Sequence, residues 1–299
     1  MQAHGVDAQE AMNRSYLFVP GDSERKLAKA ESAGADAIIV DLEDSVAAEA
    51  RAGARELARE FIAGKDEIWV RINPIDTDDA VADLQAVMPS RPAGILLPKA
   101  RSAADARMLA EFLHDLELAH NLEAGSTQIL PLVTERPEAL FALDGYVNAT
   151  PRLAGLTWGA EDLSVALGAT ANKDESGDWL PPYQFARSMC LFAAAAAEVP
   201  AVDTVYTDYR NLDGLAGYAR NARRDGFSGM LAIHPAQVDV INQAFVPTAA
   251  EVEKAERIVT LFETNPGAGT LGLDGEMIDR PHLVQARRIL QLARRLTAR

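Results

Sequence analysis

Two short apolar runs in this sequence end on a carboxylate: Leu130-Pro-Leu-Val-Thr-Glu135 and Gly155-Leu-Thr-Trp-Gly-Ala-Glu-Asp162. Acids at strand ends are how a magnesium site is built. Mg²⁺ takes hard oxygen ligands in a near-octahedral shell and keeps several waters, so one or two protein carboxylates plus an oxygen-rich substrate are enough. A single acid after a strand is an ordinary turn residue, but here the pattern repeats. Asp41 and Glu43, Arg71 and Asn73, Lys99, Asp208 and His234 also close apolar runs. Side chains alternate along a strand, so Asp41 shares a face with Glu43, and Arg71 with Asn73.

The elements that must carry these residues alternate along the chain. Strand-like runs cover 15–20, 37–43, 68–73, 94–99, 128–135, 153–162, 202–207 and 229–234, each apolar and bounded by Gly or Pro, as strands buried on both faces should be. Helix-like segments follow the first at about 24–33 and later ones at 46–63, 77–88 and 103–119. Eight strands separated by helices within about 235 residues match a (β/α)₈ TIM barrel, typically ~250 residues, better than a doubly wound sheet. Polar residues at the C-terminal end of nearly every run point the same way, because barrel enzymes keep their chemistry on that face. The predicted organisation is α/β, with residues 1–13 as a disordered N-terminal tail and 14–247 as the TIM barrel. Residues 248–299 are read as a C-terminal helical extension or cap. Two segments break the rhythm: a polar excursion at 171–182, long enough for a lid or an oligomer contact, and a glycine-rich stretch at 265–275 read as a hinge loop.

Of the 299 residues 48% are hydrophobic and 24% charged, enough for a full core and against disorder. The net charge of −15 argues against nucleic acid or an anionic membrane surface as partner. Cys190 is the single cysteine, which excludes an internal disulfide and fits helix packing. No signal peptide or membrane span is read from the sequence, and a cytoplasmic location is expected.

Six motifs in order carry a resemblance: Ser15-Tyr-Leu-Phe-Val-Pro-Gly, Val40-Asp-Leu-Glu-Asp-Ser-Val, Val70-Arg-Ile-Asn-Pro, Trp158-Gly-Ala-Glu-Asp-Leu, Ala232-Ile-His-Pro-Ala-Gln-Val and Gly275-Glu-Met-Ile-Asp-Arg-Pro. From about residue 14 to 295 the chain resembles the citrate lyase β-subunit-like (CitE-like) branch of the HpcH/HpaI aldolase and citrate lyase superfamily, which includes malyl-CoA and citramalyl-CoA lyases. The resemblance implies a TIM barrel that binds Mg²⁺, with Mn²⁺ as a substitute. It implies an enzyme, a carbon–carbon lyase cleaving a 3-hydroxyacyl-CoA thioester into an acyl-CoA and a 2-oxo acid. It also implies homotrimers or hexamers.

Residue by residue, the family's metal ligands fall on Glu135 and Asp162 and its substrate arginine on Arg71. On the same resemblance Asp41, Glu43 and Asp44 would lie near the metal, with Asp41 and Glu43 placed to hold its water ligands and Glu43 also carried as a catalytic candidate. The family's catalytic aspartate falls on Asp279, which also fits a helix N-cap before Arg280-Pro281. Coenzyme A is anionic while the protein is not basic, so it needs a local patch: Arg25, Lys26 and Lys29 on the first helix, with Lys99 as an addition. His234 reads as a hydrogen-bonded structural histidine. Two alternatives stay open. One is a CoA-independent pyruvate aldolase, against which no histidine stands between His4 and His114. The other is a citrate lyase β subunit acting on a carrier-linked thioester within a complex.

Overall fold

The computed structural model describes residues 13–297, so most of the expected N-terminal tail lies outside the described residues. The chain divides after Ala244 into two compact units. In the first, eight parallel strands run β1 (Ser15–Pro20), β2 (Ala37–Asp41), β3 (Ile68–Arg71), β4 (Gly94–Leu97), β5 (Gln128–Pro131), β6 (Leu156–Thr157), β7 (Ala201–Asp203) and β8 (Gly229–Ala232). Hydrogen bonding takes them in the order β5-β4-β3-β2-β1-β8-β7-β6. The last seam, β5 to β6, is joined by the parallel bridges Ile129↔Leu153 and Leu132↔Thr157 and by Val133 N–H donating to Thr157 O at 2.9 Å. This is the (β/α)₈ barrel read from the sequence.

Helices separate the strands because each strand is apolar on both faces and needs cover on the outside. They are α1 (Glu24–Glu31), α2 (Arg51–Ile62), α3 (Asp78–Val87), α4 (Ala103–Ala119), α5 (Glu161–Leu167), α6 (Pro181–Ala196), α7 (Leu212–Asp225) and α8 (Val238–Ala244). The period of two sorts the strand residues. Tyr16, Ala37, Ile39, Trp69, Leu96, Leu130, Leu132, Val202 and Leu231 form one cluster, with Phe18 packed against it. Asp41 and Arg71 continue the Ile39 and Trp69 faces by one more step of two. The same alternation that fills the interior with apolar side chains thus puts a carboxylate and a guanidinium on its C-terminal rim.

Most strands end before the runs read from the sequence, the sixth above all: its strand is Leu156–Thr157, with Leu153 in an isolated bridge, and Asp162 sits in the first turn of α5 instead of on a strand. The 171–182 excursion is pinned: Lys173 bridges Trp179, and the nearly buried Trp179 ring meets Trp158 edge-on at 5.2 Å. Cys190 is fully buried in α6, and burial pushes its thiol pKa up, so it serves as packing. No helix among the described residues is long and apolar enough to cross a membrane.

The second unit holds α9 (Ala249–Thr264), β9 (Thr270–Leu273), β10 (Glu276–Asp279) and α10 (Arg280–Thr297). Thr248 caps α9 through reciprocal bonds with Glu251. The glycine-rich stretch is not a plain hinge loop. Leu273 pairs with Glu276 around Asp274-Gly275, whose φ values of 51° and 84° make a two-residue hairpin turn with both central residues left-handed. Ala255, Ile258, Ile278 and Ala286 form the unit's small core.

Candidate active site and metal centre

Asp41 and Arg71 are register partners at the ends of β2 and β3. Arg71 donates from Nε to Asp41 Oδ1 and from Nη2 to Oδ2, both at 2.7 Å, a bidentate pair. The guanidinium lies 4.8 Å from the centre of the Phe18 ring. Burial pushes the Asp41 carboxyl up, but Arg71, the Ser45 side chain and the Glu43 N–H hold it below the usual carboxylate range. Both Asp41 oxygens accept from Arg71, so the residue orients the guanidinium. The remaining Arg71 nitrogen, Nη1, stands 3.1 Å from Glu43 Oε2 and 3.7 Å from Asp44 Oδ2.

Glu43 lies just past β2, and its pKa is raised, first by burial, against the pull of Arg71 and Lys99. Asn73, expected at the mouth beside Arg71, turns away from it. Its Nδ2 donates to Leu42 O at 2.9 Å and to the buried Asp83 at 2.8 Å, so it pins the turn that carries Glu43. Lys99 also departs from expectation. Its ammonium binds Glu43 Oε1 and lies 3.0 Å from Asp44 and 3.6 Å from Asp162, among acids instead of joining a basic patch.

Glu135 and Asp162 flank the β5–β6 seam. Glu135 is 5% exposed, and its Oε2 accepts the Lys99 N–H at 2.5 Å. Burial above all, then the charges of Asp162 and Glu43, push its pKa up to about 8 against the pull of the Lys99 N–H and Arg71. A buried carboxylate raised in this way lacks positive charge. Glu43 Oε2 is buried too and makes no hydrogen bond, with Arg71 Nη1 3.1 Å away as its ion-pair partner. Among the described residues, the cations in contact with Asp41, Glu43, Asp44, Glu135 and Asp162 are Arg71 and Lys99, two against five acids, so the donor set fits a hard divalent ion. Among the described residues no group of three or more His, Cys, Asp or Glu side chains is placed to hold a metal ion. Two carboxylates with water and substrate would suffice for magnesium.

A clamp that sequence reasoning missed sets the spacing of the two acids. Thr134 Oγ1 accepts the Gly159 N–H at 3.1 Å and donates to Gly159 O at 3.2 Å, which ties the residue before Glu135 to the turn before Asp162. Trp158, next to Gly159, is fully buried and donates from Nε1 to the buried Asp203 at 2.6 Å. Arg187 and Tyr218 hold the same carboxylate. The only sequence signal was a glycine inside Trp158-Gly-Ala-Glu-Asp. A Cβ at Gly159 would stand 3.0 Å from Glu135 Cγ and 3.3 Å from its Oε1, so only glycine leaves the carboxylate in place. Gly159→Ala is therefore expected to weaken Mn²⁺ binding ~10-fold or more, the scale of lost support around a metal ligand, with the fold kept. Titration of the variant by Mn²⁺ electron paramagnetic resonance, beside its circular dichroism melt, checks this; unchanged affinity would remove the steric argument.

Arg25, Lys26 and Lys29 are exposed on α1, whose first turn follows the C-terminal end of β1. His234 makes the hydrogen bond expected of it: Nδ1 accepts the Ala236 N–H at 3.1 Å, and the ring stacks on Tyr209 at 4.9 Å. Asp208 is exposed in the loop after β7. Within the second unit, Asp279 ends β10 immediately before α10, and its Oδ1 is 2.5 Å from His282 Nδ1.

The sequence profile of the HpcH/HpaI aldolase/citrate lyase family matches residues 14–235. A (3S)-malyl-CoA thioesterase of Cereibacter sphaeroides is 35% identical over 292 residues, covering 95% of this chain and 96% of that protein. Citrate lyase subunit beta of Escherichia coli is 35% identical over 286 residues, covering 94% and 93%. Among solved structures, CitE of Mycobacterium tuberculosis in complex with magnesium, acetoacetate and coenzyme A superposes with a TM-score of 0.81 at 30% identity, over 95% of this chain and 98% of that one. The citrate lyase beta subunit of the same organism, complexed with oxaloacetate and magnesium, gives 0.70 at 32% identity, over 81% and 100%.

Proposed function

Because this chain belongs to the HpcH/HpaI aldolase/citrate lyase family, we propose that it is a Mg²⁺-dependent carbon–carbon lyase. It cleaves, or forms, a 3-hydroxyacyl-CoA thioester such as malyl-, citramalyl- or citryl-CoA, giving an acyl-CoA and a 2-oxo acid. One observation carries the reading: a guanidinium held in a bidentate pair lies with the carboxylates of Glu135, just past β5, and Asp162, in the first turn of α5, around Lys99. The magnesium and coenzyme A bound by the M. tuberculosis relative support the same reading.

In the cleavage direction the bond between the carbinol carbon and the thioester's α-carbon breaks. Its electron pair passes to the thioester as an enolate, while the hydroxyl gives its proton to a carboxylate of the site, for which Glu43 is the candidate, and becomes the carbonyl of the 2-oxo acid. Bound at Glu135 and Asp162, magnesium would supply Lewis acidity to the oxygens of the acid fragment. Arg71, fixed by Asp41, presents Nη1 to the negative charge that develops on the enolate oxygen. Glu43 and Asp44 hold that nitrogen from the other side. Asp279 delivers a proton to the enolate carbon, and in the reverse direction removes one from the acyl-CoA methyl group. Arg25, Lys26 and Lys29 meet the phosphates of coenzyme A.

Arg71→Lys is expected to cost ~10²–10³ in kcat, the scale for losing one preorganised donor, because an ammonium cannot pair with Asp41 through two nitrogens and still offer a third. Steady-state kinetics on the variant check it, and near-normal turnover would reduce Arg71 to a structural charge.

A second reading has specific support from the thioesterase relative. There, water attacks the thioester carbonyl and CoA leaves as the thiol. Purified protein with Mg²⁺ should be offered malyl-, citramalyl- and citryl-CoA, trapping 2-oxo acid as a hydrazone and free thiol with a disulfide reagent. The lyase gives 2-oxo acid without thiol, and the thioesterase gives thiol without 2-oxo acid. Turnover of a free hydroxy acid alone points to the pyruvate-type aldolase, and silence on every CoA ester points to the carrier-linked substrate of a citrate lyase β subunit.

A further inference from the structure

Lys99 touches every acid around the candidate metal position except Asp41. Its ammonium contacts Glu43, Asp44 and Asp162, and its backbone N–H is donated to Glu135. This needs an unusual backbone, since Lys99 has φ of 53°, a left-handed conformation that a residue with a Cβ enters at a cost. The side chain is only 21% exposed, so the charge is held away from solvent screening.

We propose that Lys99 is a positioning residue that acts as a built-in counter-charge, setting how tightly the acid cluster holds a divalent ion. This rests on the metal reading above but assigns a separate role. Glu43 and Asp44 lie close enough to add their negative charge to the ion's binding, and the neighbouring ammonium cancels part of that attraction. The ammonium also repels the ion directly from beside Asp162, while the Lys99 N–H ties down Glu135 Oε2. With the ammonium present, affinity stays at the level suited to an ion that also needs the substrate's oxygens. Without it, the same acids would grip a divalent ion unaided.

The test is Mn²⁺ binding to the full-length protein without substrate, followed by electron paramagnetic resonance at constant pH and salt. Every side-chain substitution at Lys99 keeps the backbone N–H, so the variants isolate the ammonium. Lys99→Met is expected to bind Mn²⁺ at least about tenfold tighter than wild type. Lys99→Arg, which keeps the charge, is expected to stay within about threefold of wild type. Should Lys99→Met not fold, Lys99→Gln keeps a hydrogen-bond donor for Glu43 and is expected to show the same tightening. A residue that only braces Glu43 would give the opposite sign, weaker binding in the neutral variants. Equal or weaker binding there, or equal tightening in Lys99→Arg, overturns the proposal while the metal reading stands. Absence of Mn²⁺ binding by the wild type and the neutral variants alike overturns both.

Discussion

Stripped of divalent ions by EDTA, the protein is expected to lose thioester cleavage by ~10³-fold or more and to regain it when Mg²⁺ is restored, since Lewis acidity at a developing carbonyl is worth several kcal/mol. The variants Glu135→Gln and Asp162→Asn should behave as partial versions of the stripped enzyme. Each removes a negative oxygen donor with little change of shape. The amide oxygen of the Glu135→Gln side chain can still accept the Lys99 N–H, and Gly159 still leaves room beside it. Thermal melts should therefore stay close to wild type while the Mg²⁺ concentration for half-maximal activity rises ~10-fold or more, the scale of weakened metal support. Excess Mg²⁺ should recover part of the rate. Protein shown metal-free by elemental analysis that still turns over at the untreated rate would end the metal assignment.

Much of this site was legible because a barrel strand buried on both faces tolerates polar side chains only at its mouth. Glu135, Asp41, Arg71 and Lys99 each follow an apolar run, and the structure puts them together. What the residues do there was less legible. Alternation predicts a shared face for Arg71 and Asn73, but β3 ends at Arg71, and beyond a strand's end the period of two no longer applies. Asn73 consequently follows its own hydrogen bonds to Leu42 and Asp83. Lys99 read as a cation for phosphates because a lysine's sequence neighbours do not disclose a positive φ. Asp162 read as a strand residue because β6 is too short to show its own period, and the carboxylate instead sits in the first turn of α5, where the helix dipole favours it. The hairpin β9–β10 carried the strongest local signal that went unused: Asp274-Gly275 between apolar-alternating residues is a two-residue turn, not a flexible joint.

That hairpin bears on where Asp279 works. Its strand ends on the aspartate, and α10 begins at the next residue, so the carboxylate sits at the junction of a paired strand and a helix instead of on a free tail. We propose that this unit completes the site of a neighbouring subunit in a homotrimer, with the Asp279 of one chain serving the Arg71, Glu135 and Asp162 of the next. Heterologous contacts that close a ring allow every subunit to complete another's site. Asp279→Asn alone is expected to lose ~10²–10⁴ in kcat, the range for a general acid or base, and Arg71→Ala alone to be similarly crippled. Mixed trimers of the two variants separate the possibilities. With random 1:1 assembly about a quarter of sites combine an intact Arg71 from one chain with an intact Asp279 from the next. If the aspartate served its own chain, no site in the mixture would hold both residues. The two variants are co-expressed under different tags, the doubly tagged oligomer is isolated, and its cleavage rate is compared with each variant alone. Each mixed trimer holds one such site, so recovery towards about a third of the wild-type rate is expected for the doubly tagged oligomer, and background activity in that verified oligomer rules out the shared site.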